Sequence, residues 1–527
     1  MFEVLSTPII VGLFAIWFCF LLLSYKGQPK GLWTLALANT GERFGYYTML
    51  AVFVLFLHDN FGFDSDWASE TFSNFLFVVY LLPLFGGWLA DKYGYSKMVV
   101  LGILIMFFGY LILSLPLGGA TPALITMIAG LLLVSLGTGL FKGNLQVMVG
   151  DLYNAPEFSD KRDSGFSLFY MAINIGALFA PTAAIKIMEW AQNSLGYCKA
   201  DSYHFAFAVA CVSVIGSILI YYLGKKTFAH VIGTTKKVNN ADEPQKAVPA
   251  ENDTKERIVC LCLVFAVVVF FWMAFHQNGL TLTWFADEFT ATTSTGIESM
   301  MFDVRNLLAL IFIVYGLFGL FQAKGLARIL AGVMIIGAAA FLFNMVPAPG
   351  VETAVSAPIF QHFNPCFVVI LTPVSVALFG WLGSKGKEPK DPVKIGLGML
   401  VAAVAYLLLL MSSVGLPAAD PVNHVHQANV GPSVLVRTYL ILTFAELLLS
   451  PIGISFVTKV APPRLKGLMM GLWFASTAVG NYLSSIPGLL WERVPLWANW
   501  AILMGLCVVA GLIMFAMLRK INAATAE

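Results

Sequence analysis

The sequence is poor in charged residues. Only 11% of its 527 residues are Asp, Glu, Lys or Arg, whereas a soluble domain carries roughly 25%. Neither sign dominates, since 31 basic residues stand against 29 acidic ones. The low charge excludes a water-soluble fold and an intrinsically disordered chain, and the balance of signs indicates no nucleic-acid partner.

Cysteine is also scarce, and the motifs of metal sites and hydrolases are missing. Six of the seven cysteines fall in apolar runs, where a thiol packs as a small hydrophobic group. Neither a disulfide scaffold nor a metal centre is therefore indicated. The sequence contains no H-E-x-x-H and no G-x-S-x-G, which argues against a membrane peptidase or acyltransferase. We predict no enzyme activity, no metal and no cofactor.

The chain has long apolar runs instead, and 59% of its residues are hydrophobic. About 20 mostly apolar residues suffice for a helix to cross a bilayer. We predict an all-α integral membrane protein with about fifteen transmembrane helices. The predicted spans lie near residues 7–25, 31–57, 68–90, 96–116, 122–149, 163–191, 203–223, 257–284, 305–322, 326–346, 356–383, 393–413, 434–459, 467–488 and 498–518.

The distribution of Lys and Arg predicts the orientation of these spans. If residue 1 is outside, 24 of the 31 basic residues fall in inside loops or in the C-terminal tail, and five fall at outside ends. Basic residues are retained on the cytoplasmic side of a membrane. We therefore predict an external N-terminus and a cytoplasmic C-terminus.

One long polar stretch divides the chain. Residues 224–256 are rich in Lys and poor in apolar side chains, which predicts a solvated cytoplasmic linker. Residues 1–30 form an accessory N-terminal helix in this interpretation, and a hairpin at about 305–346 is inserted in the second half. Six spans then lie in 31–223 and six in 257–520. Two six-helix bundles joined by such a linker resemble the major facilitator fold.

Four charged residues lie deep inside predicted spans and need an explanation: Glu42, Arg43, Lys142 and Glu446. A charge at membrane depth costs several kcal/mol unless it is paired or hydrated. At the helical rise per residue, Glu42 and Lys142 lie about 16 Å and about 10 Å from the inner ends of their helices, which is close enough in depth for pairing. Glu446 lies in the other half, with no basic residue in its helix interior. A basic pole facing an acidic pole suits a zwitterionic ligand, and a buried ion cluster that only fixes helix packing is the alternative.

Several segments resemble the signatures of the proton-dependent oligopeptide transporter (POT) family. In the first half NTGERFGYYTM resembles E-x-x-E-R-F-x-Y-Y, GTGLFKGNLQVMVGDLY resembles G-x-G-x-F-K-P-N, and RDSGFSLFYMAINIGALFAP resembles F-Y-x-x-I-N-x-G. Four segments of the second half resemble family segments in the same order: FFWMAFHQNG, FQHFNPCFVVILTP, AELLLSPIGISFVTKVAP and LKGLMMGLWFASTAVGN. The likeness covers about 31–223 and 257–520, apart from 288–355.

The resemblance implies a secondary active transporter that imports di- and tripeptides with a proton, by alternating access, into a bacterial cell. Its partners would be a small peptide, protons and the lipid bilayer. The resemblance assigns the peptide carboxylate to Arg43 and Lys142. It assigns the peptide amino group to Glu446, Asn174 and Asn364, where charge-assisted hydrogen bonds would be strong. The aromatic pocket positions match Tyr46, Tyr47, Tyr80 and Trp473.

The segment GGWLADKYGYSK resembles the gating motif that facilitators carry between two early helices. The residues that match it are Asp91, Lys92 and Lys97. These charges would close the inner side by pairing with neighbouring helix ends. An ordinary basic inside loop is the alternative interpretation.

The sequence departs from the family pattern at three positions, which bear on proton coupling and on the flexibility of the helix near Lys142. Asn39 replaces the first acid of the signature, Gly143 replaces the Pro after Lys142, and His276 takes the place of an acid on the seventh core helix. We predict that Glu42, His276 and Glu446 form the coupling set. Our hypothesis is that His276 and Glu446 carry the proton while Glu42 serves the gate; the alternative is that Glu42 titrates and His276 stays neutral.

The loss of the first acid also keeps open a second function. An uncoupled or differently coupled transporter of nitrate or another small anion would need the cations but not Glu446. Retained anion transport by a Glu446→Gln variant would favour that function.

The acidic pole generates the first prediction. Glu446→Gln should weaken binding of a dipeptide far more than binding of the same dipeptide with a blocked amino group, because only the free ammonium needs the carboxylate. Competition binding on the purified protein measures both affinities. Equal losses for the two ligands would assign Glu446 to structure or to proton movement instead.

Overall fold

A computed structural model of the chain describes residues 2–24, 27–116, 120–158, 161–232, 251–419, 430–461 and 466–525. The central part of the predicted linker, 233–250, lies outside these residues. The first half contains α1 (Phe2–Ser24), α2 (Lys30–Phe61), α3 (Ser65–Leu81), α4 (Pro83–Tyr93), α5 (Tyr95–Leu113), α6 (Ala120–Asp151), α7 (Arg162–Leu195) and α8 (Lys199–Leu223).

The second half is also helical, with one small pair of strands. Its elements are α9 (Glu251–Phe275), α10 (Thr281–Glu288), α11 (Gly296–Ser299), α12 (Val304–Gln322), α13 (Leu326–Met345), α14 (Phe363–Ser384), α15 (Asp391–Ser413), α16 (Ser433–Val460), α17 (Lys466–Leu483), α18 (Ser485–Leu489), α19 (Leu496–Thr525), β1 (Thr293–Thr295) and β2 (Glu352–Ala354). The strands pair antiparallel, with Thr293 opposite Ala354.

The all-helical prediction is confirmed. Thirteen helical stretches of the described chain are long and apolar enough to cross a membrane by length and composition. They coincide with thirteen of the predicted spans. The remaining two predicted spans coincide with α2 and α17, which are 32 and 18 residues long. Proline explains one break inside a span, because Pro83 begins α4 directly after α3.

Helices of the first bundle approach one another through glycine. A Cβ atom added at Gly102 of α5 would lie 2.6 Å from the carbonyl oxygen of Gly137 on α6, and one at Gly109 would lie 2.9 Å from that of Gly130. Such distances require that both helices present a bare backbone. Small residues at the crossing allow this close packing inside a membrane, where apolar burial gives no preference for protein over lipid.

The two bundles are hydrogen-bonded to each other at the end of the molecule opposite the linker. Ser73 of α3 contacts Ser484 with 3.0 Å between the hydroxyl oxygens, and Arg493 pairs with Asp66 at the start of α3. The amide of Gln361 donates to the carbonyl oxygen of Ala51 on α2 at 3.3 Å. These contacts join the bundles at the predicted outer side.

The N-terminal helix and the inserted hairpin form one structural unit. Helices α1, α12 and α13 pack on one another, and α12 also contacts α7 and α14. Trp17 is almost fully buried among Phe14, Phe312 and Tyr315, with ring centroids 5.5–5.8 Å away. Because α7 belongs to the first bundle and α14 to the second, this accessory layer covers the side where the bundles meet.

The start of the predicted linker is packed rather than solvated. Two short 3-10 helices, Lys225–Thr227 and Ala229–Val231, follow α8 directly. Between them Phe228 is fully buried, with its ring centroid 4.9 Å from that of Tyr221. At the other end of the linker α9 begins at Glu251, six residues before the predicted span, because its first turns are polar and extend beyond the apolar run.

The accessory layer generates the second prediction. A Cβ atom at Gly319 of α12 would lie 2.8 Å from both the Ala331 methyl group of α13 and the Phe20 ring of α1. Gly319→Leu should therefore destabilise the protein by roughly 1–3 kcal/mol through overpacking. Thermal unfolding of the detergent-purified protein measures the change. Gly332→Leu is the matched control, because the nearest atom to a Cβ there is 4.0 Å away. Equal unfolding temperatures for the two variants would contradict the packing of this layer.

Candidate functional site

Glu42 and Arg43 neutralise each other inside the first bundle. Glu42 is fully buried and Arg43 is 4% exposed. Nε of Arg43 donates to Oε2 of Glu42 at 2.5 Å, and Nη2 donates to Oε1 at 2.6 Å. The guanidinium also lies 4.7 Å from the ring centroid of Tyr46. This two-point pairing leaves Nη1 of Arg43 without a protein partner among the described residues.

Lys142 has an aromatic partner rather than an acidic one. Its Nζ lies 4.0 Å from the ring centroid of Tyr80 on α3. In the part of the chain that the structure describes, no carboxylate lies within ion-pair distance of this ammonium. The face of a phenol ring stabilises a cation by about 0.5–2 kcal/mol, which is less than burial of the charge costs. Lys142 is therefore a cation that an anionic ligand could satisfy.

An acidic pole lies in the second bundle. Nδ2 of Asn364 on α14 donates to Oε2 of Glu446 on α16 at 2.9 Å and to Oγ1 of Thr443 at 3.1 Å. Thr443 stands three residues before Glu446 and so lies on the same helix face. Among the described residues no Lys or Arg is within ion-pair distance of Glu446. The structure thus brings two of the three predicted amino-group residues into direct contact.

The third predicted residue, Asn174, is connected through Tyr170. Nδ2 of Asn174 donates to the carbonyl oxygen of Tyr170 one turn earlier on α7, at 3.0 Å. The Tyr170 phenol lies beside Glu446. The Tyr170 side chain is 43% exposed, so a ligand beside Glu446 could also contact it.

The predicted aromatic residues fall in two places. Tyr46 packs on Tyr47 and Phe75 at centroid distances of 5.3 and 6.3 Å, and Tyr47 lies within electrostatic range of both Arg43 and Glu446. Tyr80 is also within electrostatic range of Arg43 and Glu446, so Tyr47 and Tyr80 lie between the poles, while Tyr46 lies against Arg43.

The fourth predicted aromatic residue, Trp473, lies apart from the three tyrosines. It is 2% exposed and packs 6.0 Å from Phe265, with its ring against the bare backbone of Gly453. Gly453 follows Glu446 by seven residues on α16. Trp473 therefore packs at the crossing of α9, α16 and α17. The structure does not bring it to the charged groups.

His276 lies on the side of the basic pole. Helix α9 ends at Phe275, and His276 begins a 3-10 helix, His276–Gly279. Its ring centroid lies 6.0 Å from that of Tyr80 and 5.7 Å from that of Trp272. Nε2 of His276 is buried without a hydrogen-bond partner among the described residues. The imidazole therefore adjoins the aromatic ring that supports Lys142, and it makes no contact with Glu446.

The predicted gating residues lie at the junction between α4 and α5. The side chain of Asp91 lies outside the described residues. Nζ of Lys92 is 5.3 Å from the ring centroid of Tyr93, and Lys97 is exposed and lines a groove between α5 and α8. Nearby, Nδ2 of Asn144 donates to the carbonyl oxygen of Gly86 at 3.1 Å, which fixes α4 to α6.

The structure describes the surroundings of two residues that depart from the family pattern, Asn39 and Gly143. Asn39 is 5% exposed, and its Nδ2 has no partner among the described residues. Gly143 follows Lys142 and has no atom within 4 Å of the position of an added Cβ. The space next to the backbone at Gly143 is therefore open.

A sequence profile of the POT family matches residues 96–243 and 340–495. These two segments make up more than half of the chain and include parts of both bundles. The chain belongs to the POT family. It is accordingly a multi-pass membrane protein of a transporter family.

Relatives of this POT-family chain come from several bacteria. It is 28% identical over 499 residues to the transporter YclF of Bacillus subtilis, covering 89% of this chain and 90% of the relative. It is 26% identical to the di-/tripeptide transporter of Lactococcus lactis, with 88% and 89% covered. A comparable match, at 28%, is peptide transporter YePEPT of Yersinia enterocolitica, with 88% of each chain covered.

Solved structures share the fold. A crystal structure of peptide transporter POT in complex with sulfate superimposes with a TM-score of 0.71 at 24% identity, over 95% of this chain and 97% of the other. A POT family transporter in complex with 5-aminolevulinic acid gives 0.70 at 20% identity, over 94% and 98%. The predicted facilitator-type architecture is thus confirmed.

Sequence reasoning missed Tyr170 and Thr443. A usable signal was present, because Tyr170 stands four residues before Asn174 and Thr443 three residues before Glu446, and such spacings share a helix face. Neither residue is charged, so the cost of burial did not single them out.

The cation–ring contact generates the third prediction. Tyr80→Leu should destabilise the POT-family protein by about 0.5–2 kcal/mol, since Lys142 loses its only described partner. Tyr80→Phe keeps the ring and should cost much less. Thermal unfolding in detergent measures both. In a Lys142→Gln background the difference between Leu and Phe should shrink; an unchanged difference would mean that Tyr80 acts through packing alone.

Proposed function

We propose that this protein imports di- and tripeptides together with protons, by alternating access of its two bundles. The observation that carries the proposal is the pair of unsatisfied poles: Lys142 faces no carboxylate, and Glu446 faces no cation, among the described residues. A peptide has one group for each pole at its two ends. The names of the bacterial relatives, which include di-/tripeptide transporters, support the same substrate class.

The peptide carboxylate binds at the basic pole. Lys142 is the stronger anchor, because its ammonium is not engaged by an acid. Arg43 is already held by Glu42 at two points and offers Nη1 as a further donor. Arg43 therefore adds a directed hydrogen bond and fixes the position of the carboxylate.

The peptide amino group binds at the acidic pole. Glu446 provides the charge, and Asn364 orients its carboxylate through a 2.9 Å hydrogen bond. Tyr170 offers a hydroxyl beside the same carboxylate, and Asn174 stabilises the turn that carries it. Terminal recognition of this kind leaves the peptide side chains free to vary, and the tyrosines between the poles give them apolar surface with polar tips.

The acidic pole is also the reason to prefer a peptide over a small anion. A site for nitrate has no use for a buried carboxylate, and Glu446 would repel such a ligand. The proposed role is that of a transporter and not of an enzyme, in line with the transporter family to which the chain belongs. It places the protein in the bacterial plasma membrane with its N-terminus outside, as the distribution of Lys and Arg favours.

Proton coupling is assigned to His276 and Glu446, with Glu42 confined to its partner Arg43. The two-point contact with Arg43 engages both oxygens of Glu42, so this carboxylate is poorly available for proton exchange. His276 retains a free nitrogen beside Tyr80 and Lys142. A peptide carboxylate on Lys142 offsets the ammonium charge that His276 faces, so peptide and proton are accommodated together.

Uptake of labelled dialanine into proteoliposomes tests the function. Wild-type protein should accumulate dialanine when an inward proton gradient is imposed, and uptake without a gradient should only equilibrate. Unlabelled dipeptides should compete, whereas nitrate should not. The proposal fails if a panel of small dipeptides gives no uptake above that of empty liposomes.

The fourth prediction separates coupling from transport. His276→Gln should lose gradient-driven uptake and keep counterflow exchange, because exchange needs the peptide site but no net proton movement. Asn278→Ala, in the same 3-10 helix, is the matched control and should retain both. If His276→Gln retains gradient-driven uptake at the wild-type level, His276 carries no proton.

A further inference from the structure

A surface groove of the first bundle shares no residue with the proposed peptide site. It occupies about 340 Å³ between α5 and α8 and is lined by Ser96, Lys97, Val100, Leu101, Leu104, Tyr222 and Lys225. The groove lies where α5 begins and α8 ends, at the end of the bundle that carries the linker. Apart from Lys97, which belongs to the predicted gating motif, none of these residues has a role in the proposed transport of peptides.

The groove is basic at its rim. Lys97 stands in the first turn of α5, and Lys225 follows the last residue of α8 by two positions. Among the described residues neither ammonium has a carboxylate within ion-pair distance. The first turn of α5 adds backbone N–H groups without helical partners, because its N-cap is Gly94 and has no side chain to accept from them. Such groups favour a phosphate.

The groove becomes apolar toward the interior of the membrane. Leu101 and Leu104 are 43% and 41% exposed, and they follow Lys97 by about one and two helical turns. In a membrane helix, apolar side chains with this exposure face lipid. The rim therefore fits a charged headgroup, and the wall below it fits an acyl chain.

Polar contacts fix the position of α5 relative to α8 at the groove. The hydroxyl oxygens of Ser96 and Tyr221 are 2.8 Å apart, which joins α5 to α8 at its base. Tyr222 lies 5.8 Å from Nζ of Lys225 and is 51% exposed. Tyrosine in this position is typical of the interface between a membrane and water.

We propose that this groove is a binding site for an anionic phospholipid of the leaflet on the linker side. The phosphate binds Lys97, Lys225 and the first turn of α5, and one acyl chain lies along Leu101 and Leu104. A soluble anion would leave the apolar wall without a partner. A zwitterionic lipid would leave the excess of positive charge uncompensated. Basic pockets between helices on the cytoplasmic side of membrane proteins bind headgroups of this class.

The test uses full-length protein in detergent, titrated with phosphatidylglycerol or phosphatidylcholine and followed by native mass spectrometry. Wild-type protein should bind phosphatidylglycerol more tightly than phosphatidylcholine. Lys225→Gln should weaken phosphatidylglycerol binding about fivefold, which corresponds to one basic residue near a membrane surface. Lys226→Gln is the matched control, because it removes the same charge from an exposed neighbour outside the groove; its effect should stay within about twofold.

A second variant tests the apolar wall without changing charge. Leu104→Trp should fill the path of the acyl chain and weaken binding of both lipids. The proposal is overturned if Lys225→Gln and Lys226→Gln lose equal affinity, which would indicate diffuse attraction only. It is also overturned if wild-type protein does not distinguish the two lipids, or if millimolar glycerol 1-phosphate displaces phosphatidylglycerol, which would indicate a site for soluble anions.

Discussion

The organisation of this protein depends on the cost of placing charges inside a membrane. A buried ion pair is a poor stabiliser compared with apolar packing, so charges persist at this depth only where they have a partner or a ligand. Glu42 and Arg43 are consecutive on one helix and satisfy each other. Lys142 and Glu446 lack such partners among the described residues, and they lie in opposite bundles. The interface between the bundles is therefore the place where an external zwitterion gains most.

The cost of a buried charge also explains the roles of the uncharged polar residues near the site. Tyr80 stabilises an ammonium without neutralising it, and Asn364 orients a carboxylate without compensating its charge. Both arrangements keep a charge available for a ligand. An acid beside Lys142 or a base beside Glu446 would give a more stable protein and, under the proposed function, weaker binding of the peptide.

The accessory helices add a second constraint on movement. Helix α1 and the hairpin of α12 and α13 bury their aromatic side chains against one another, and α12 touches both α7 and α14. Rocking of the bundles therefore takes place beside a layer that contacts each of them. Within this layer Arg305 of α12 donates a 2.6 Å hydrogen bond to Ser6 of α1, so the layer is held by polar as well as aromatic contacts.

Much of the fold was readable in the sequence, because the membrane requires an apolar run of fixed length for each span and retains basic residues on one side. The charged residues of the site were readable for the same reason: Arg43, Lys142 and Glu446 are conspicuous in apolar surroundings. The break of α9 at His276 was not predicted, because the segment HQNG interrupts the apolar residues only briefly and the stretches on both sides together have the length of one span. Nor was the role of Trp473 readable, because an aromatic residue on a helix gives no sign of which neighbour it will meet.

Only the tertiary structure decided which groups face one another. The sequence allowed Glu42 to pair with either Arg43 or Lys142, and the helix packing joined it to Arg43 and left Lys142 over Tyr80. The sequence also separated α1 from the hairpin at 305–346 by about 280 residues, and their contact depends on complementary surfaces that no local pattern encodes. The bilayer thus determined the spans and the depth of the charges, while side-chain packing between distant helices determined the partners.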